Sequence, residues 1–141
     1  MFKLKNLHPA FGVEIIGIDL SGALEPNDFA QIELVLEQYS LVLFRNQIFD
    51  DDSQVAFSRR FGELEYDHVA YGREQKIRYI GCIGNVDEHG KQMRSNHERV
   101  VFSTGNEMWH SDSSFRPVPT RFSISYAYEV TPEGGELEFV S

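Results

Sequence analysis

The feature that most constrains the fold of this chain is a strict alternation of apolar and polar residues that begins at Arg121. Its apolar members are Phe122, Ile124, Tyr126, Tyr128 and Val130, with Arg121, Ser123, Ser125 and Glu129 between them and Ala127 as the exception. A period of two over this length predicts a half-buried antiparallel strand. Residues 131–135 have the composition of a turn, and Leu137 and Phe139 then resume the alternation, so the sequence predicts a β-hairpin.

Two helices and three further strands are predicted upstream of this hairpin. Pro26 opens the first helix, because an apolar stripe with helical spacing follows it. Its members are Phe29, Ile32, Val35, Leu36 and Tyr39. Asp51 and Gln54 have the spacing of a capping box, which predicts a second helix that runs through Phe57 and Phe61 and ends at Gly62. Three strands are predicted: one within 11–20, one at 41–44 and one at 77–83. The strand at 41–44 should be fully buried, and the strand at 77–83 is interrupted by glycines. These patterns predict an α+β chain that is mainly β.

Composition narrows the function classes. The chain has 141 residues, of which 41% are hydrophobic, and we expect residues 1–141 to form a single domain. A net charge of −9 and a pI near 4.9 argue against nucleic acid or an anionic membrane as a partner. No apolar run reaches the length of a membrane span, and no signal peptide is evident. The single cysteine, Cys82, fits a reducing cytoplasm and the role of a small buried side chain.

The motif that carries chemistry is His110-Ser111-Asp112, which precedes the alternating segment. In an extended segment, side chains two residues apart point to one face, so His110 and Asp112 would offer a nitrogen and an oxygen to one metal ion. A site for non-haem Fe(II) with two histidines and one carboxylate needs one more histidine. The alternative reading is that Asp112 with the two serines after it forms a turn or caps a helix.

Longer motifs make the chain similar to the taurine dioxygenase / 2,4-dichlorophenoxyacetate dioxygenase family, of which it resembles the N-terminal half. The resemblance runs along nearly the whole chain, and the run from Trp109 to Phe115 is its most specific part. Its other segments are 7–9, 12–14, 18–20, 41–45, Gln47, 56–59, 61–65 and 134–136. It implies a double-stranded β-helix (jelly roll), here incomplete, with N-terminal helices packed on the sheet.

The resemblance also implies a function and a site. The family's enzymes use Fe(II), 2-oxoglutarate and O2 to hydroxylate a small organic anion, such as an aryloxyalkanoate, a sulfonate or a related carboxylate, and release succinate and CO2. His110 and Asp112 would be metal ligands, while Asn106 and His68 would contact substrate or cosubstrate. The family's second metal histidine and its oxoglutarate-binding arginine come far downstream of the His-x-Asp pair, beyond the residues of this chain.

Three features around the motif refine these expectations. Residues 85–107 lack periodicity, which indicates either an active-site lid or an irregular surface loop. An anionic substrate needs a local cation in an acidic chain, and Arg94, Arg99 and Arg116 are the candidates. Leu137 stands where the family usually has a threonine that donates a hydrogen bond to 2-oxoglutarate, so that contact would be missing.

The competing function class is non-catalytic. An acidic, β-rich chain with an incomplete ligand set could be a binding or assembly module or an inactive truncated fragment, and sequence does not decide whether it forms homo-oligomers. A jelly roll needs about eight strands, more than are predicted here. We therefore expect the 141-residue chain by itself to bind Fe(II) weakly and to lack activity, while its full-length parent is a dioxygenase.

Overall fold

The computed structural model describes residues 2–65, 80–81, 83–87 and 89–141. The chain divides into two units, one made of Met1–Gln54 and Tyr126–Ser141 and the other of Val55–Ser125. The helices and strands are β1 (Lys3–Asn6), β2 (Val13–Ile16), α1 (Pro26–Tyr39), β3 (Val42–Phe44), α2 (Asp51–Arg59), α3 (Glu98–Ser103) and a 3-10 helix (Thr104–Glu107). No helix of the described ranges is both long and apolar enough to cross a membrane.

The first unit contains a three-stranded mixed sheet in the order β1-β2-β3. β1 pairs with β2 in antiparallel register, with Lys3 opposite Ile16, and β2 pairs with β3 in parallel, with Val13 opposite Val42. The segment β2-α1-β3 is therefore a βαβ unit, since a parallel pair needs a crossover connection. Val13 and Ile15 are 0% and 3% exposed, so the central strand is the centre of the small core.

Helix α1 has the bounds that the sequence predicts. Pro26 occupies the first turn, where its missing N–H group costs nothing. Ser40 ends the helix in the left-handed region at φ 63°, and its N–H group donates to the Leu36 carbonyl oxygen at 2.8 Å. Phe29, Ile32 and Val35 are buried, which confirms the predicted stripe as core.

The central strand also buries a carboxylate. Glu14 is 7% exposed, although its neighbours Val13 and Ile15 have the apolar side chains expected of a core strand. Lys5 Nζ lies 3.6 Å from Glu14 Oε2, and Arg45 Nε lies 3.4 Å from Oε1. A buried carboxylate is tolerated only when it is paired, and here cations of the segments on both sides of β2 supply the pairing.

The predicted strand at 41–44 and the predicted helix after it differ slightly from the observed elements. The strand at 41–44 is Val42–Phe44 and is half-buried, because β3 is an edge strand of the sheet. Helix α2 is capped by Asp50, not by Asp51: the Asp50 carboxylate accepts the Ser53 N–H group at 2.8 Å and also the Ser53 hydroxyl. The capping box was predicted one residue too late, because three consecutive aspartates can each accept a hydrogen bond from the first turn of the helix.

The hairpin predicted at 121–139 is the main prediction that the structure contradicts. Residues 121–125 of the second unit alternate exposed and half-buried, as the sequence pattern requires, but they form no strand. Residues 126–141 of the first unit form none either, although Gly134 and Gly135 adopt φ near 75° and the Thr131 hydroxyl bonds the Gly134 carbonyl. A strand needs a ladder partner, and no described segment pairs with this one.

The aperiodic stretch 85–107 is more ordered than its sequence indicates. Val86 and Gln92 form an isolated antiparallel bridge, and the stretch continues into α3 and the 3-10 helix. The His97 ring caps α3, because its Nδ1 accepts the Arg99 N–H group at 3.2 Å. The role of 85–107 as a lid stays a prediction. The predicted strand at 77–83 lies mostly outside the described residues.

Candidate metal centre

The His110 and Asp112 side chains converge in the second unit. His110 Nε2 lies 3.3 Å from Asp112 Oδ1, and the two side chains are 45% and 55% exposed. The residues between and around them form an irregular segment that enters a turn at Asp112, so the two residues do not lie in a strand. The spacing of two residues still places both donors on one side of the backbone.

The second ring nitrogen of His110 is held by the backbone. Nδ1 lies 2.7 Å from the Met108 carbonyl oxygen. A carbonyl oxygen can only accept, so Nδ1 donates a proton here, and Nε2 is the ring nitrogen that faces Asp112. Histidines that bind metals usually donate their other ring N–H group in this way, which sets both tautomer and ring orientation.

The Asp112 carboxylate is oriented by Ser123. The Ser123 hydroxyl donates to Asp112 Oδ2 at 2.7 Å. Oδ2 accepts this hydrogen bond, and Oδ1 is the oxygen that faces His110 Nε2. One imidazole nitrogen and one carboxylate oxygen are thus presented together, which is the mixed donor set that non-haem Fe(II) sites use.

His110 and Asp112 can occupy two ligand positions of a metal site. Within the described ranges there is no cluster of three or more His, Cys, Asp or Glu side chains that could hold an ion. The aromatic side chains beside the ligands do not enclose them, because Trp109 and Phe115 are 67% and 76% exposed. A third protein ligand and a cover over the ligands are both needed before this pair can act as a closed site.

Asn106, His68 and Leu137 are the other residues that the sequence analysis placed at or near the site. Asn106 lies in the 3-10 helix and is exposed. His68 lies outside the described residues. Leu137 is 78% exposed, so its side chain contributes no enclosed contact. The roles of Asn106 and His68 in binding substrate or cosubstrate stay predictions.

Sequence reasoning missed Glu65, which organises the segment after the metal motif. Glu65 Oε1 accepts the Ser113 hydroxyl at 2.8 Å and pairs with Arg116 Nε at 2.5 Å, and Oε2 accepts the Thr120 hydroxyl. Arg116 is therefore paired with a carboxylate, and its role as a substrate cation stays a prediction. Nothing in the spacing of Glu65 marks it as special, because its partners are 48 and 55 residues away in sequence.

Comparison with known proteins gives a consistent result. The family model described as "Taurine catabolism dioxygenase TauD, TfdA family" matches residues 3–141. An alpha-ketoglutarate-dependent 2,4-dichlorophenoxyacetate dioxygenase of Burkholderia sp. (strain RASC) is 36% identical over 136 residues, covering 94% of this chain and 46% of that protein. An alpha-ketoglutarate-dependent sulfonate dioxygenase of Saccharomyces cerevisiae is 32% identical over 146 residues, covering 97% of this chain and 32% of that protein. The chain thus spans less than half the length of either relative.

A solved structure agrees with these relatives. The crystal structure of AAD-2 in complex with Mn(II) and N-oxalylglycine superposes with a TM-score of 0.72 at 28% identity. The match covers 84% of this chain and 39% of that chain. The fold of this chain is therefore that of part of the longer AAD-2 chain.

Proposed function

Because the chain belongs to the taurine catabolism dioxygenase TauD, TfdA family, we propose that it carries part of the active site of an Fe(II)- and 2-oxoglutarate-dependent dioxygenase. The observation that carries the proposal is the convergence of His110 Nε2 and Asp112 Oδ1 at 3.3 Å, with the remaining polar atom of each side chain already bonded. The third ligand is then the histidine that the family places far downstream, in a part of its length that this chain does not span.

Other residues of this chain orient the two proposed metal ligands. The Met108 carbonyl oxygen holds the His110 ring so that Nε2 is the nitrogen available to the metal. Ser123 holds Asp112 so that Oδ1 faces the same point. Fe(II) with 2-oxoglutarate and O2, when bound, supplies the oxidising power that hydroxylates a substrate carbon and releases succinate and CO2. Pre-oriented ligands lower the cost of binding the metal, since little side-chain freedom is lost on coordination.

The substrate class that we propose is a small organic anion of the aryloxyalkanoate type, because the 2,4-dichlorophenoxyacetate relative shares more identity over nearly all of this chain than the sulfonate relative does. Asn106 and His68 are proposed to contact substrate or cosubstrate. Arg94, Arg99 and Arg116 are the candidate cations for this anion, and residues 85–107 are proposed to act as the lid.

The same proposal assigns a place to the alternating segment. Residues 122–130 have the period-two sequence pattern of a sheet strand, and the 2,4-dichlorophenoxyacetate relative is about twice as long as this chain. We propose that this segment is a strand of a jelly roll whose neighbouring strands come from outside the described residues. The single cysteine of the sequence supports a reducing compartment such as the cytoplasm.

The test is turnover by the full-length protein. Purified protein is given Fe(II), 2-oxoglutarate and either 2,4-dichlorophenoxyacetate or taurine, and succinate is measured. We expect succinate with the aryloxyacetate, and none from His110→Ala or Asp112→Ala, because each leaves too few ligands for a stable site. His8→Ala is the matched control, since His8 lies in the first unit, where its Nδ1 accepts the Ala10 N–H group.

The outcomes separate the alternatives. Succinate coupled to taurine alone would reassign the substrate class and keep the reaction. Turnover by the His110 variant at the level of the His8 control would refute the ligand assignment. Metal-independent binding of the organic anion without succinate would favour the non-catalytic binding module.

A further inference from the structure

Glu65 closes an eight-residue loop that begins beside the proposed metal ligand Asp112. Its carboxylate accepts a hydroxyl from Ser113 at one end of the loop and from Thr120 at the other, and it pairs with Arg116 between them. The Glu65 and Arg116 side chains are only 29% and 21% exposed, so water competes weakly for these bonds. All four residues belong to the second unit, as do His110 and Asp112.

The loop needs such support because its backbone is not in a relaxed conformation. Ser113, the residue directly after Asp112, has φ 55°, a left-handed conformation that is unfavourable for a residue with a Cβ atom. The Arg116 N–H group bonds the Ser113 carbonyl at 3.1 Å and closes a turn there. The bond from the Ser113 hydroxyl to Glu65 therefore holds in place the residue that directly follows Asp112.

We propose that Glu65 is a positioning residue for the metal carboxylate Asp112 and acts through Ser113, Arg116 and Thr120. The inference rests on the proposed function, because it assumes that Asp112 binds the metal. The bonds of Glu65 to these three residues fix the loop that follows the two proposed metal ligands. A carboxylate suits this position, since its two oxygens accept the two hydroxyl groups and its charge neutralises the poorly exposed Arg116 guanidinium.

The experiment measures metal affinity, not turnover. The full-length protein is titrated with Co(II) alone, and the visible absorption of bound Co(II) reports both the dissociation constant and the coordination geometry. The variants are Glu65→Gln, which removes the charge, and Thr120→Val, which removes one donor while keeping the shape. Glu63→Gln is the matched control, because Glu63 is an exposed glutamate two residues earlier. His110→Ala reports on the ligand assignment itself.

We expect Glu65→Gln to raise the Co(II) dissociation constant about tenfold, the lower end of what loss of a residue that supports metal ligands costs. Thr120→Val should raise it about threefold, as the loss of one net hydrogen bond implies. Both should alter the Co(II) spectrum, whereas Glu63→Gln should match the native protein. His110→Ala should abolish binding.

Each alternative outcome has a distinct meaning. Glu65→Gln with lowered thermal stability but native Co(II) affinity and spectrum would overturn the inference, because Glu65 would then only stabilise the fold. If that variant does not fold, Thr120→Val decides, and native affinity in it overturns the inference. If His110→Ala binds Co(II) as the native protein does, the proposed function itself fails.

Discussion

Replacing Ser123 by alanine tests whether the metal carboxylate is oriented in advance. The Ser123 hydroxyl is the donor to Asp112 Oδ2 at 2.7 Å, so the substitution removes that bond and leaves the carboxylate free to rotate. Fe(II) or Co(II) binding must then restrict a side chain that the native protein already holds.

The size of the effect follows from the exposure of the pair. A hydrogen bond to a charged group contributes about 1.5–3 kcal/mol when both partners are shielded from water. Ser123 is exposed and Asp112 is 55% exposed, so water replaces part of the lost bond. We therefore expect a loss of about 1 kcal/mol of metal-binding free energy, which corresponds to about a fivefold rise in the dissociation constant.

The assay is calorimetric titration of the full-length protein with Co(II). Ser125→Ala is the control, because Ser125 is an exposed serine on the same side of the alternating segment. Ser123→Thr, which keeps the hydroxyl, should bind Co(II) as the native protein does. Equal affinities for the Ser123→Ala and Ser125→Ala proteins would refute the reasoning, since the hydroxyl would then make no difference to the ligand.

Three further predictions concern stability. Ile32→Ala should lower the free energy of unfolding in urea by about 2–5 kcal/mol, because Ile32 is 1% exposed and truncation leaves a cavity; Leu34→Ala, at a position 69% exposed on the same helix, should change it by less than about 1 kcal/mol. Gly12→Ala should cost about 1 kcal/mol in the same measurement, because Gly12 has φ 80°, and a native-like result would contradict the left-handed assignment. The hydrogen bonds from the Ser53 hydroxyl and N–H group lower the pKa of Asp50, so the stability that the Asp50 cap adds to α2 is present above the ordinary carboxyl pKa of about 3.9 and is lost as the pH falls through the lowered pKa. Thermal unfolding of Asp50→Ala and native protein should thus differ at pH 7 and converge in strong acid, and a difference that persists there would show that the cap does not depend on charge.

Local sequence signals were sufficient for helix α1. Pro26 fixes its start, and the apolar stripe of five residues that follows leaves a single face to bury. The start of α2 was misplaced by one residue, since Asp50, Asp51 and Asp52 offer the same side-chain acceptor and only the folded backbone chooses among them.

Non-local contacts explain what the sequence could not predict. The alternation of residues 121–125 appears in their burial, yet a strand requires a partner, and pairing is not encoded in the segment itself. His110 and Asp112 could be paired from their spacing, whereas Glu65 could not be linked to Ser113 and Thr120, because no periodicity joins residues so far apart in sequence. The family resemblance was confirmed by the match over residues 3–141.

The βαβ unit of β2, α1 and β3 has a consequence for biosynthesis. It is one continuous stretch, Val13 to Phe44, and it contains most of the buried apolar side chains of the first unit. Domains form from the N-terminus as the ribosome adds about 5–20 residues each second. All residues of this unit are therefore synthesised several seconds before His110 and Asp112, so that its apolar core can begin to form before the metal ligands exist.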